Sequence, residues 1–401
     1  MKWKIWAAAA VATTFAVPAA HGEIKELKIG FVSTLSGGAA IIGKHQVNGF
    51  KLGLEHQGWT KDGDKLGGIP TSVMYGDDQF KPDVGRRIVD KWIKSDKIDI
   101  VAGNIWSHVL MAMSRPVIRA KRILLSTNAG ASPLAGKNCS PYFISTSWQN
   151  DQTPEAMGQL MSNEKLKSVY LMAPNYQAGK DMLAGFSRFY KGGKIVGRSL
   201  FKVGETDYQA DISKVKAAKP QAVVIFAPGG MGIAFMKQWA ASGAGKDIKL
   251  YTMFTVDWLT LPAIKEAALG TFHTNYWDPT STNPVNQKFV KDYVAKFGGM
   301  PSHFASQSYD APGLIAAALK QVSKTLTHAD MLPLAKAMRR VEYASVRGPY
   351  KYNVNGMPIQ NFYKREVLAG ADGKPTIKTV GTVFSNQKDS YWTKCPKSRR
   401  F

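Results

Sequence analysis

From Leu27 onward, short apolar runs alternate with amphipathic ones. "LKIGFVS" predicts a strand, and "GKHQVNGFKLGLEHQGW" predicts a helix with Val47, Phe50 and Leu54 on one face. "IPTSVMYGDD" predicts the next strand. "PDVGRRIVDKWIKSDK" predicts a helix opened by Pro82, with Val84, Ile88, Trp92 and Ile93 as its inward stripe. "IDIVAG", "WSHVLMAMSRPVIRAK" and "RILLST" continue the series as strand, helix and strand. Strands that are apolar throughout, separated by helices, predict a parallel sheet covered on both faces.

After "PYFISTS" the pattern starts again. "SVYLMAP", "KIVGRSLF", "QAVVIFA" and "IKLYTMF" predict strands, with helices near Ala178–Tyr190, Tyr208–Ala218 and Met231–Ser242. A third set follows: "VNQKFVKDYVAKF", a long helix from about Phe304 to Val322, and "MLPLAKAMRR". Two late strands, "PYKYNV" and "NFYKREVL", close the series. Two α/β units are thus expected, followed by more chain than either needs. In open parallel sheets ligands sit outside the carboxyl ends of the strands, so the loops after each strand carry the chemistry.

Those loops are "STLSGGAAIIG", "GNIWSHV", "STNAGASPLAG", "APNYQAGKD", "APGGMG" and "TMFTVDW". All are rich in small and hydroxyl residues, and several run into a helix, whose N-terminus offers unpaired N–H groups to an anion. No G-x-S-x-G, H-E-x-x-H or G-x-x-x-x-G-K-[ST] motif occurs. "LAGKN", "QAGKD" and "GAGKD" lack the hydroxyl residue after Lys, and "GGMG" lacks dinucleotide-fingerprint spacing. The seven His are scattered without metal-ligand spacing. The expectation is binding rather than catalysis, with no cofactor and no metal.

The N-terminus modifies this picture. "MKWKIWAAAAVATTFAVPAAHG" joins two lysines, an apolar run and a small-residue end. It predicts a secretory signal peptide over 1–22, cleaved before Glu23, rather than an uncleaved anchor. No Cys stands at that point, so no lipid anchor is expected. Export to an oxidising periplasm makes Cys139 and Cys395 candidates for a disulfide, the alternative being two unrelated buried thiols. The chain carries 53 Lys and Arg against 29 Asp and Glu; loss of Lys2 and Lys4 leaves +22. The cations are dispersed rather than blocked, which suits a solvated surface and an anionic small ligand better than nucleic acid.

The order and spacing of "LKIGFVSTLSGGAAIIGKHQVNGFKLGLE", "DDQFKPDVGRRIVDKWI", "RILLSTNAGASPLAG", "APNYQAGKDMLAGF", "QWAASG", "YDAPGLIAAAL" and "GPYKYNVNG" resemble the periplasmic type I solute-binding proteins of the branched-chain amino acid family, which feed ABC importers. The resemblance implies two Rossmann-like α/β lobes with parallel sheets, joined by three crossing hinge segments near Thr146, Asn275 and Gly348. One lobe would comprise 27–146 plus 276–347, the other 147–275 plus 348–385, with a tail at 386–401. It also implies a monomer that docks on a membrane permease.

Carried over by residue, the resemblance places a ligand carboxylate on Ser107 and on the backbone N–H groups of the Asn128, Ala129 and Gly130 loop. A tight strand-to-helix turn with no ligand is the alternative for that loop. The cleft would also include Ser36, Trp106, Tyr176 and Phe254. The departures matter. Phe254 stands where amino acid binders of this family place a Glu for the ligand's ammonium, Gly130 replaces a Thr, and Ala178 replaces a Tyr. Carboxylate donors with aromatics and no acid suggest a small carboxylic acid, aromatic before aliphatic, with Trp106, Tyr176, Phe254 and Trp258 available to stack unless they fill the core. The rivals are that Asp257 takes the Glu's role in an amino acid binder, or that the fold serves a ligand-sensing regulator.

Overall fold

The computed structural model describes residues 24–401. The expected signal peptide at 1–22 lies outside the described residues. Among those described, no helix is long and apolar enough to cross a membrane.

The first lobe is built on β1 (Leu27–Ser33), β2 (Lys65–Leu66), β3 (Ile69–Asp77), β4 (Ile100–Gly103), β5 (Ile123–Ser126) and β6 (Phe143–Ser145), in the order β2-β3-β1-β4-β5-β6. β1 lies parallel to both β3 and β4, and Leu27, Ile29, Phe31 and Val32 are buried because helices cover both faces. The second sheet contains β7 (Ser168–Pro174), β8 (Lys194–Phe201), β9 (Ala222–Phe226), β10 (Lys249–Met253), β11 (Phe272–Asn275), β12 (Lys351–Tyr352), β13 (Pro358–Ala369) and β14 (Pro375–Gln387). Its β7–β11 core is parallel, whereas β13 runs antiparallel to β11, β12 and β14. β14 was not expected from sequence. Most of its side chains are exposed, so its pattern lacks a continuous apolar face.

The helices are α1 (Ala40–His56), α2 (Pro82–Lys91), α3 (Ser107–Arg119), α4 (Ser132–Ala135), α5 (Gln152–Asn163), α6 (Gln177–Phe189), α7 (Gln209–Ala218), α8 (Gly230–Ala241), α9 (Leu261–Ile264), α10 (Pro284–Phe297), α11 (His303–Val322) and α12 (Leu332–Met338). In α2 the buried stripe is Gly85, Val89 and then Trp92 of the following turn. The expected Val84 and Ile88 are only half-buried. The reason is Gly85: a Cβ there would stand 2.7 Å from Val109 and 3.1 Å from Met113, so its bare face lets α3 approach. α11 packs on α1, where Gly49 and Gly53 meet the backbone at Ala305 and Tyr309. The third set of helices therefore returns to the first lobe.

Three segments connect the lobes: β6 to α5, β11 to α10, and α12 to β12. The side chain of Arg347 draws them together. Its Nη2 donates to the carbonyl of Thr146 (2.7 Å) and its Nη1 to that of Ser147 (3.2 Å), both on the first crossing. The guanidinium centre lies 5.7 Å from the Tyr276 ring on the second crossing, while Arg347 itself belongs to the third. Gln360 of β13 accepts from Nη1 at 2.8 Å, and Asp310 of α11 accepts from Nη2 at 3.0 Å. Asp310 also accepts from the Ser345 hydroxyl and the Val346 N–H. Both ions are buried, at 3 and 0% side-chain exposure.

Beyond β14 the tail first braces α5 of the second lobe and then reaches the first. The Ser390 hydroxyl donates to Glu155 and the Tyr391 hydroxyl to Asp151, at the start of α5. Asp389 accepts from Asn353 and Asn355, and Asn355 donates onward to the Ala135 carbonyl of α4. Cys395 is joined to Cys139 in a disulfide with a Cα separation of 5.6 Å.

Two outcomes follow for stability. Replacing Arg347 by Met keeps the stem but strands the Asp310 carboxylate, and should lower the unfolding free energy by about 3–5 kcal/mol, read as a fall in the urea midpoint with an unchanged slope. Reducing the disulfide, whose cysteines lie 256 residues apart, releases an unfolded-state restraint on the order of 5 kcal/mol in the chain-entropy model. Identical urea midpoints with and without reductant would contradict it.

Candidate functional site

The carboxyl ends of β4 and β5 face those of β7, β9 and β10 across the cleft. At the end of β4 the chain turns through Gly103 (φ 99°) and Asn104 (φ 74°), and a Cβ on Gly103 would lie 2.2 Å from the Val32 carbonyl oxygen. This turn aims Ile105 and Trp106 into the cleft and opens α3 at Ser107. Trp106 is locked: its Nε1 donates to the Thr34 hydroxyl (2.9 Å), Thr34 donates to Asp78, and the Phe80 ring meets it edge-on at 4.5 Å. The first-turn N–H groups of α3, from Ser107 to Val109, have no intrahelical acceptor and carry the partial positive charge of the helix start. The Ser107 Oγ accepts from Asn150 Nδ2 at 3.0 Å, so its own proton remains free for an acceptor in the cavity.

The loop after β5 behaves differently from expectation. Its N–H groups are not presented to a ligand. Asn128 N donates to the Ser126 hydroxyl (3.4 Å), Ala129 N to the Asn104 carbonyl (3.1 Å) and Gly130 N to Asn150 Oδ1 (3.0 Å). The small residues instead let another segment approach. A Cβ on Gly130 would lie 2.0 Å from the Trp148 carbonyl oxygen, so a Thr would collide with the first crossing segment. Asn128 has a structural duty as well, donating to the Ile105 carbonyl and accepting from Gln307, both at 2.7 Å.

On the second lobe Tyr176 caps α6, and its ring meets that of Trp106 at 5.9 Å in a T-shaped contact across the cleft. Phe254 follows β10 with φ 55°, a left-handed conformation rare for so bulky a residue and costing on the order of 1–3 kcal/mol. That conformation lays its ring on the Trp148 indole, 4.5 Å away and within 20° of parallel. Between the lobes these rings line a narrow pocket with about 20 Å³ of free space. Trp106, Ser107, Asn128, Ala129, Tyr176 and Phe254 line it, as do Ala178, Trp148, Asn150, Met182, Phe226 and Phe304. No carboxylate or ammonium side chain is on its wall.

The remaining expected residues lie elsewhere. Gly130 touches the cavity only through Asn150. Ser36 lines a wider outer vestibule of about 560 Å³, shared with Phe80, Trp106 and Glu205. Trp258 packs beside the core without reaching the cavity. Asp257 turns into its own loop: its Oδ1 accepts from the N–H groups of Leu259 (2.9 Å) and Thr260 (3.0 Å), and its Oδ2 faces His303 Nδ1 at 3.2 Å. It does not reach the cavity. Burial lowers the His303 pKa, against the raising pull of Asp257.

Asp181 on α6 is the buried carboxylate nearest the site, and it sits behind the wall. It accepts from the Ser132 N–H (3.0 Å) and hydroxyl (2.7 Å) of the first lobe, from Asn150 (2.9 Å) and from Gln177 (2.8 Å). Burial raises its pKa, and these donors oppose the shift. Because Asn150 donates to both Asp181 and Ser107, the clamp between lobes and the orientation of the Ser107 hydroxyl share one amide. Trp148 and Asn150 escape a reading centred on strand-end loops because they lie on the crossing segment; the signal was the aromatic and amide of "STSWQN" directly after a strand.

Comparison with known proteins agrees with this geometry. The family described as periplasmic binding protein matches residues 26–374. A Leu/Ile/Val-binding protein homolog 6 from Brucella melitensis is 26% identical over 394 residues, covering 96% of this chain and 98% of that protein. The crystal structure of an ABC transporter solute binding protein from R. palustris in complex with benzoate is 31% identical, with a TM-score of 0.83 over 91% of this chain and 98% of that one. A solute binding protein of an ABC transporter from Rhodopseudomonas palustris BisB5, in complex with 3,4-dihydroxybenzoic acid, is 29% identical, with a TM-score of 0.83 over 92 and 99%. Matched over most of its length and built from two lobes about a closed cavity, the chain belongs to the periplasmic binding protein family and is a solute-binding protein.

Proposed function

We propose that this protein captures a small aromatic carboxylic acid as its anion and delivers it to the membrane permease of an ABC importer. One observation carries the reading: the inter-lobe cavity is walled by aromatic rings and hydrogen-bond donors, with no carboxylate among them. An anion needs donors and an aromatic ring needs apolar faces, whereas an ammonium group would leave a buried charge unpaired. The benzoate and dihydroxybenzoate complexes of the two Rhodopseudomonas proteins support the same class. The carboxylate belongs at Ser107 and the α3 start, and the ring belongs among Trp106, Tyr176 and Phe254. The protein would act as a monomer in the periplasm, without a cofactor and without turning the ligand over, after cleavage of the 1–22 segment. Asp257 is set aside as an ammonium partner because it does not line the cavity: its Oδ1 serves Leu259 and Thr260 and its Oδ2 faces His303.

Calorimetry on the purified chain tests this. Benzoate-type acids should bind, and Ser107→Ala should weaken them by roughly 1.5–3 kcal/mol, the range for a hydrogen bond to a charged group. The corresponding amide or alcohol should not bind measurably. Tight binding of leucine or valine with none of benzoate would end this reading. Closure should be visible too: the Ser132–Asp181 contact joins the lobes, so small-angle scattering should give a smaller radius of gyration at saturation, and equal radii would speak against a closing cleft.

A further inference from the structure

Beside the carboxylate pole proposed at Ser107, one cavity-lining residue carries a buried polar group without a partner. Trp148 lines the cavity at 3% exposure, and its Nε1–H has no hydrogen-bond partner among the described residues. Its ring is fixed by the stack on Phe254 and by tilted contacts with Tyr276 (5.4 Å) and His303 (5.9 Å). A buried indole N–H nearly always finds an acceptor, because leaving it dry and unpaired costs the desolvation of the donor. Trp106, the other indole of the cavity wall, obeys this rule through Thr34. Tyr176, also on the wall, makes no side-chain hydrogen bond among the described residues, although it approaches the rings of Trp106 and Phe226. Burial keeps its hydroxyl protonated, so it can both accept and donate.

We infer that Trp148 is a specificity-determining residue whose indole N–H donates to an oxygen on the ring of the bound acid, so that the preferred ligand is an aromatic acid with a ring hydroxyl. This deepens the aromatic-acid reading and rests on it. A ring hydroxyl accepts from Trp148 and, through its own proton, can use the Tyr176 oxygen. A bare ring satisfies neither, and the indole N–H then stays unpaired. Discrimination of this kind comes from the site's own unpaired donor more than from shape.

The experiment titrates benzoate and the 2-, 3- and 4-hydroxybenzoates into the full protein and its Trp148→Phe variant. In the unsubstituted protein one hydroxybenzoate should bind about tenfold tighter than benzoate, the worth of one neutral hydrogen bond. Trp148→Phe keeps a ring on Phe254 and should erase that preference, so that the hydroxybenzoate loses about tenfold more affinity than benzoate does. Because the variant also touches packing, the indole ¹⁵N–¹H resonance it removes identifies Trp148 in the native protein. That resonance should move on adding the preferred hydroxybenzoate and stay near its free position with benzoate. An equal loss for benzoate and hydroxybenzoate would make Trp148 a carboxylate or packing contact and overturn the inference. A resonance that moves alike with both would do the same. Failure of the native protein to bind any of the four acids would overturn the aromatic-acid reading itself.

Discussion

A two-lobed protein that opens and closes needs one place that does neither, and here that place is the Arg347–Asp310 pair. A buried ion pair is an expensive way to gain stability, because desolvation consumes most of the Coulombic return. It is well suited to registry. A planar guanidinium with five donors can address several carbonyls and a carboxylate at once in fixed directions, which an apolar replacement cannot. Arg347 uses this to join the first and third crossings to each other and to α11, with the Tyr276 ring of the second crossing against its face. The hinge is therefore a packed polar knot rather than three independent strings.

The knot is wired to the ligand cavity through Gln307, one turn before Asp310 on α11. The backbone carbonyl of Gln307 accepts from the Thr146 hydroxyl and its side-chain oxygen from Tyr276, while its amide donates to Asn128 on the cavity wall. On the opposite side Asn150, four residues beyond Thr146, orients Ser107 and holds Asp181. Residues that fix the hinge geometry and residues that line the cavity are thus one or two hydrogen bonds apart. The polar groups at Ser107 are held in place by partners within the protein, which lowers the ordering cost of binding at this wall.

Much of this was legible in the sequence. Strands buried on both faces read as unbroken apolar runs, so β1, β4, β5, β7, β9 and β10 were plain; Ser107 was named only by the family resemblance. Two readings met the same limit: a sequence names a donor or an acid without saying what already occupies it. The N–H groups of Asn128, Ala129 and Gly130 looked free because the acceptors, Asn104 and Asn150, come from other segments. Asp257 looked available because its acceptance from Leu259 and Thr260 is a turn habit of Asp that leaves no periodic trace. The α2 stripe was displaced by Gly85, whose value lies in what it lacks. Trp148 was missed for the opposite reason: it lies on a crossing segment and fills a role no strand-end pattern announces.

The tail gives the molecule a covalent topology beyond that of the chain itself. With Cys395 bonded to Cys139, everything from the end of the first sheet through the whole second lobe and back forms one covalent circuit containing all three crossings. Such a circuit tolerates a single break: a protease that cuts once anywhere between the two cysteines, hinge included, leaves one connected molecule with both cavity walls still attached. The eight residues from Lys388 to Cys395 also act as a check-rein. Fully extended they span less than about 29 Å, which caps how far the second lobe can swing before the bond itself must yield.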